Sequence, residues 1–183
     1  MRKILIAMLA GCYSALSLAQ FSVGVDLARV ESDIFSSLSE EDYGYRVEFG
    51  YPLNDTWNVV GGYADYGDFF TTSSAGDLAI EGSAAHLGIE SRLALSDEFG
   101  FFAEAGLDFW ELDVDNPDDL LPMPLDDSGE GFYFGAGAYV KVSEGWQIHF
   151  SYSDRDWDDY VDVQVLRLGF RVALGGGEGG EEE

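Results

Sequence analysis

From Phe21 to Leu174 the chain alternates apolar and polar residues in eight segments, and the breaks between them are alternately short and long. Alternation has the period of a pleated strand, so each segment carries one apolar face and one polar or small face. The second segment is typical: Tyr43, Tyr45, Val47, Phe49 and Tyr51 take one side, Gly44, Arg46, Glu48 and Gly50 the other. The eighth sets Leu166, Leu168, Phe170, Val172 and Leu174 against Val165, Arg167, Gly169, Arg171 and Ala173. The third, from Trp57 to about Tyr66, is ambiguous, because Val59 and Val60 are adjacent and Gly61-Gly62 could kink it. Its neighbours argue that it is also a strand.

Short breaks at Pro52-Leu53-Asn54-Asp55, Ser96-Asp97-Glu98 and Ser143-Glu144-Gly145 have turn chemistry. Long ones fall at roughly 31–42, 67–77, 115–130 and 153–162. Each segment is about 9 to 11 residues or somewhat more, the length a tilted strand needs to cross hydrocarbon. The pattern predicts an all-β, eight-stranded antiparallel up-and-down transmembrane barrel with three tight turns, four long loops and both ends of the barrel chain at the tight-turn side. Tyr51, Trp57, Phe99 and Trp146 near strand ends would form an interfacial girdle. A soluble barrel of the lipocalin kind also alternates, with the apolar face turned inward. Against it stands a polar face rich in Gly and Ala, as a narrow interior requires.

Composition fits one domain, with 46% apolar residues in 183. No run of about 18 apolar residues follows the first twenty positions, so a membrane protein built of helices is not indicated. Met1-Arg2-Lys3, the apolar run Ile4 to Ala10 and the small residues of Ser17-Leu18-Ala19 have the three parts of a secretory signal. The chain thus divides into 1–19, a cleaved signal peptide; 20–174, the barrel; and 175–183, a flexible acidic Gly/Glu tail. Leu9-Ala10-Gly11-Cys12 resembles a lipoprotein lipobox, which leaves acylation at Cys12 open. Cys12 is the only cysteine, so no disulfide framework is possible.

The formal charge is −26, and removal of Arg2 and Lys3 leaves 7 basic against 35 acidic residues. Nucleic acid is excluded as a partner, since nothing could neutralise phosphates. On the polar face lie five basic residues, Arg46, Arg92, Lys141, Arg167 and Arg171, and five acidic ones, Asp26, Glu48, Glu90, Glu104 and Asp108. Eight strands leave room only for packed side chains or one small ligand, and isolated charges there are costly. The expectation is an ion-paired lumen filled by side chains; a gated ion path or a small-molecule site are the other readings. The pairs also fix register, because an inverted barrel would turn all these charges to lipid.

The loop segments are acidic: Glu31, Asp33, Glu40, Glu41 and Asp42 in the first; Asp115, Asp118, Asp119, Asp126, Asp127 and Glu130 in the third; Asp154, Asp156, Asp158, Asp159 and Asp162, against the single Arg155, in the fourth. Asp154, Asp156 and Asp158 have the spacing that starts a calcium loop, but glycine is missing at 159 and Val165 stands where a bidentate glutamate belongs. Solvated loops that cations screen are the plainer reading. His86 and His149 alone make no metal site, so neither metal nor cofactor is expected.

Tyr43-Gly44-Tyr45-Arg46-Val47-Glu48-Phe49-Gly50-Tyr51, Gly61-Gly62-Tyr63-Ala64-Asp65-Tyr66 and Phe134-Gly135-Ala136-Gly137-Ala138-Tyr139 resemble strands of the small OmpA-type and OmpX-type outer-membrane barrels of Gram-negative bacteria. The resemblance covers nearly all of 20–174 and is one of pattern. It implies an outer-membrane location, with the tight turns periplasmic and the long acidic loops extracellular. It implies a monomer whose partners are outer-membrane lipids including lipopolysaccharide and, during biogenesis, the barrel-assembly machinery. Its roles would run from envelope integrity to surface contact, without catalysis. Arg167, Gly169, Val172 and Leu174 resemble the assembly signal of that superfamily, except that members commonly end on an aromatic residue whereas Gly175 to Glu183 follows here. An enzymatic alternative rests on His149-Phe150-Ser151, which resembles the His-x-Ser pair of the lipid A 3-O-deacylases, with Asp162 as its third member. Tyr152 stands where that family has asparagine, and the pair falls on the lumen face.

Overall fold

A computed structural model describes residues 21–34, 38–72, 78–115, 128–158 and 161–174. Eight strands follow one another: β1 Phe21–Ile34, β2 Leu38–Pro52, β3 Trp57–Thr72, β4 Leu78–Ala94, β5 Phe99–Asp115, β6 Ser128–Ser143, β7 Trp146–Asp158 and β8 Val161–Leu174. Each pairs antiparallel with its sequence neighbours, and β1 pairs with β8 to close the barrel. Closure matters in lipid, where an open sheet edge would leave backbone groups without partners. The ambiguous third segment is a regular strand: Val60 and Ala64 face inward and Tyr63 faces outward, so Val60 is an apolar lumen residue rather than a break in the pattern.

The tight turns are held by their own side chains. Asn54 Oδ1 accepts from the backbone N–H of Thr56 and Trp57 at 2.9 and 3.0 Å, and Ser96 Oγ accepts from Phe99 N at 3.0 Å. Gly145 turns β6 into β7 with φ of 80°, a conformation that costs glycine nothing. Gly67, with φ of 73°, sits in a β-bulge where the β3–β4 register shifts between Asp65 and Asp68.

The strands run further than the sequence reading allowed. They are 13 to 17 residues long, whereas about 9 to 11 suffice to cross hydrocarbon. The segments 31–42, 67–77 and 153–162 were expected to be loops, yet most of their length is ladder: Glu31 pairs with Glu41, Asp68 with Glu81, and Asp156 with Asp162. Residues 116–127, with Asp118, Asp119, Asp126 and Asp127, lie outside the described residues, as do 1–20 with Cys12 and the acidic tail 175–183.

The strands continue because their chemistry inverts. On β8 the inner face changes from Arg171 and Arg167 to Val165, Val163 and Val161, while the outer face changes from Leu168 and Leu166 to Gln164 and Asp162. On β5 the inner face goes from Glu104 and Asp108 to Trp110 and Leu112, and the outer from Leu107 and Phe109 to Glu111 and Asp113. On β4 His86 and Glu90 give way to Ala84 and Ile80 inside, and Leu87 gives way to Glu81 outside. Below the switch the barrel is built for lipid, polar in and apolar out; above it the barrel is built for water, apolar in and acidic out. In the β1–β2, β1–β8 and β4–β5 ladders the pleat crosses the switch without a shift, so one register serves both environments there. The switch falls near Arg29, Ser83, Glu111, Asp154 and Gln164, which marks the outer edge of the apolar band.

Candidate functional site

The lumen has two storeys. The lower, within the apolar band, is charged. Arg46 of β2 lies between Asp26 of β1, 3.3 Å from its Nε, and Glu104 of β5, 3.4 Å from its Nη2, and it also pairs with Glu48 on its own strand. Arg167 of β8 shares Glu104. Arg171 of β8 bridges Glu48 and Glu90, meeting both oxygens of Glu90 at 3.0 Å. Glu90 also accepts from Arg92 Nε at 2.6 Å and Asn58 Nδ2 at 2.8 Å. Glu48, Glu90 and Glu104 thus each meet donors from more than one strand, which together with the Asp26–Arg46 pair ties β1, β2, β3, β4, β5 and β8 across the interior.

Arg155 was missed by the sequence reading, which placed it in the fourth loop. It is fully buried on β7, its Nη1 2.5 Å from Asp108 Oδ2, and its guanidinium lies 4.7 and 5.2 Å from the ring centres of Tyr133 and Tyr66. Trp157 Nε1 donates to the same Asp108 oxygen at 3.0 Å. The signal was present, since Ser151, Ser153, Arg155 and Trp157 keep one phase and β7 continues in it. Reading aspartates as loop markers hid that phase.

Lys141 corrects the expectation in the opposite direction. It is exposed at the tight-turn mouth, and among the described residues it makes no ion pair. The β6–β7 register shifts between Lys141 and Ser143, one step from the turn, so its long stem reaches water before it reaches a carboxylate. Exchanging Lys141 for Arg155 leaves the count balanced: five carboxylates, Asp26, Glu48, Glu90, Glu104 and Asp108, against five guanidiniums, Arg46, Arg92, Arg155, Arg167 and Arg171.

The upper storey is an apolar core. Ala28, Val30, Ala64, Tyr66, Ile80, Ala84, Trp110, Leu112, Trp157, Val161, Val163 and Val165 are all buried there. Trp110 stacks on Trp157 with 5.8 Å between ring centres and 9° between planes. On the outer wall at this height Arg29 pairs with Glu41 at 2.6 Å, and that hydrogen bond holds the Glu41 carboxyl below the usual carboxylate range.

His149 and Ser151 both face the lumen. His149 Nε2 lies 2.7 Å from Asp26 Oδ1, and Ser151 Oγ has no hydrogen-bond partner among the described residues. Asp162 is exposed on the outer wall of β8, across the sheet from the histidine, so the three do not form a hydrolytic triad. Asp154 and Asp156 lie in extended ladder opposite Gln164 and Asp162, not in a turn that could fold around calcium. Of the residues resembling an assembly signal, Arg167 is buried, Gly169 and Val172 are half-buried and Leu174 is exposed. Gly169 is required by space: a Cβ there would lie 2.6 Å from the Val25 carbonyl oxygen.

At the tight-turn end the lumen opens into a cavity of about 620 Å³ lined by Asn58, Arg92, Lys141, Trp146, Gln147 and Arg171, among others. Outside, Leu27, Tyr43, Phe49, Leu87, Phe132, Phe134, Phe150 and Leu168 belong to a continuous exposed apolar band.

A closed antiparallel barrel with an apolar band outside, aromatic residues at its rims and charges inside is an integral outer-membrane barrel. The chain belongs to the outer membrane protein beta-barrel domain family, whose model matches residues 4–173. Its fold is that of Neisserial surface protein A (TM-score 0.70, 18% identity, 84% of this chain and 97% of that one). It is also that of Ail, the attachment invasion locus protein of Yersinia pestis (0.62, 17%, 86% and 99%), and of OprG from Pseudomonas aeruginosa (0.59, 14%, 87% and 98%). No curated protein matches the chain by sequence.

Proposed function

We propose that the protein is a non-enzymatic, non-conducting outer-membrane barrel that serves envelope integrity or surface contact, with the acidic wall above the bilayer as its outward face. The observation that carries this reading is the pairing of charges inside the lower barrel, Arg155 with Asp108 among them, beneath the buried apolar cluster that holds the Trp110–Trp157 stack. A diffusion path would have to cross both. The lumen position of His149 and Ser151 supports the absence of lipid hydrolysis, since an acyl chain would have to reach them through the wall. The likeness to a surface protein and to an attachment invasion locus protein supports a surface role by fold alone.

Single-channel recording in planar bilayers is the test. Silence across about ±100 mV is expected; steady unitary conductance in the unmodified protein would overturn the reading. Binding of cells expressing the barrel to host-cell or abiotic surfaces, with the outer aspartates Asp113, Asp156 and Asp162 changed to asparagine, tests the contact role.

A further inference from the structure

We propose that the tight-turn mouth of the barrel holds the headgroup of a zwitterionic phospholipid, its phosphate on Arg92, Lys141 and Gln147 and its ammonium against the carboxylates of the turns. The mouth is a cavity of about 620 Å³, within the size range of small-molecule sites. Its wall joins two surfaces that are separate elsewhere in the barrel. Arg92, Gln147 and Arg171 belong to the lumen, whereas Val142 and Trp146 belong to the outer apolar side and are 63% and 51% exposed. A cavity so bounded suits an amphiphile, charged at one end and apolar at the other.

The donors at this mouth are unspent. Arg92 gives Nε to Glu90 at 2.6 Å and Nη1 to Gln147 Oε1 at 3.1 Å, which leaves its Nη2 for another acceptor. Gln147 accepts there through Oε1 and keeps both hydrogens of its Nε2. Lys141 makes no ion pair among the described residues, and the lumen carboxylates are already matched by guanidiniums without it. Deeper in, Arg171 is 4% exposed and its Nε has no hydrogen-bond partner among the described residues. These groups come from β4, β6, β7 and β8, so they surround the cavity rather than form one row. A phosphate has oxygens enough to meet them separately, and each such bond is charge-assisted.

Asp97, Glu98 and Glu144 also line the cavity, and all three are exposed in the tight turns. They repel a bare anion, as does a chain whose net charge is −26. A phosphate that brings its own ammonium avoids that penalty, because the ammonium meets the turn carboxylates while the phosphate meets the donors. Height supplies the lipid. Trp57 and Trp146 are exposed on the outer wall at this end, where amphipathic rings mark the level of lipid headgroups. The acyl chains leave past Val142 and Trp146, whose ring stacks on Phe170 with 18° between planes, and lie on the apolar band.

Lys141 is the only lysine in 21–183, so reductive methylation with isotope-labelled formaldehyde gives one lysine resonance from the barrel. The chain, folded in dodecyl maltoside, which carries no phosphate, is titrated with dihexanoylphosphatidylethanolamine below its micellar concentration. The Lys141 resonance is expected to move saturably. Dihexanoylphosphatidylglycerol keeps the chains and the phosphate but lacks the ammonium, and inorganic phosphate lacks the chains. Each should bind about tenfold more weakly or worse, the worth of one charge-assisted hydrogen bond. Equal binding of inorganic phosphate would overturn the lipid as occupant. A resonance that stays in place, or drifts with added lipid without saturating, would overturn the site.

Arg92→Gln should weaken the zwitterionic lipid by about tenfold, again one charge-assisted bond, while heat-modifiable gel mobility is kept. Unchanged affinity in that variant would overturn the placement of the phosphate. Asp97→Asn, Glu98→Gln and Glu144→Gln, made together in exposed turns, should weaken the zwitterionic lipid and strengthen the glycerol lipid, so that the preference between them narrows. A preference that survives these three changes would overturn the placement of the ammonium.

Discussion

Arg155 and Asp108 meet across the lumen at 2.5 Å, at the level where charged interior gives way to apolar core. Both are fully buried, and the guanidinium is packed against Tyr133 and Tyr66. The pair is thus the lid on the polar storey and the floor of the apolar one. Removing one partner leaves the other charge stranded, which costs about 3 to 5 kcal/mol, whereas replacing both with apolar residues of similar size can be neutral.

Arg155→Met should therefore lower the urea midpoint of the vesicle-folded barrel strongly, and Asp108→Leu alone should do the same. The double variant should recover most of the loss. If the two effects simply add, the residues are not coupled and the pair is not a structural unit.

The inversion along the strands places the membrane edge on β8 between outward-facing Leu166 and Gln164. Leu168 faces outward in the apolar band and Asp162 faces outward above it. Arginine at Leu168 should cost about 2 to 4 kcal/mol of folding free energy in vesicles, while arginine at Asp162 should cost about 0 to 1. Equal penalties would mean that the edge lies elsewhere. The complementary change is Val163→Asp, which puts a carboxylate into the upper core and should destabilise as strongly as the lipid-facing arginine.

Closure, strand order and the lipid-facing side were legible because period-2 alternation encodes them directly, as in Tyr43-Gly44-Tyr45-Arg46. The strand ends were not, for a physical reason. An aspartate between valines in Val161-Asp162-Val163 reads as a loop if the apolar face is assumed always to point to lipid, yet the same triplet is a good strand once that face points inward to a soluble-type core. Arg155 was hidden by the same assumption. Lys141 was placed on the correct face but at the wrong depth, because alternation gives side and not height. Which carboxylate each arginine would choose could not be read at all, since Arg171 takes Glu48 and Glu90 from strands far away in sequence.

Gly137 and Phe102 illustrate how the narrow interior is filled. They are opposite one another in the β5–β6 ladder, and a Cβ at Gly137 would meet the Phe150 carbonyl oxygen, a backbone clash that remains whatever stands at 102, and would fall 2.6 Å from Phe102 Cζ. The ring occupies the space that the glycine leaves. Gly137→Val should destabilise by about 1 to 3 kcal/mol through overpacking, and Phe102→Ala by about 3 to 5 through the cavity it opens. In the double variant the valine partly refills that space, so its loss should be smaller than the sum. Strict additivity in urea titrations would show that the two do not share the space.

The acidic wall above the band should make stability depend on ionic strength. Glu81, Glu111, Asp113, Glu130, Asp156 and Asp162 are all exposed there, and the chain's net charge of −26 concentrates repulsion in the extended barrel. Raising salt from about 10 to about 150 mM shortens the Debye length from roughly 30 to roughly 8 Å, which decouples neighbours across strands. The urea midpoint should rise over that range, with most of the gain complete by about 0.15 M. Neutralising Asp113, Asp156 and Asp162 together as asparagines should raise the low-salt midpoint and flatten the dependence. A midpoint that ignores salt in the unmodified protein would mean that the repulsion is already relieved, and bound divalent cations would then be sought by repeating the titration with a chelator.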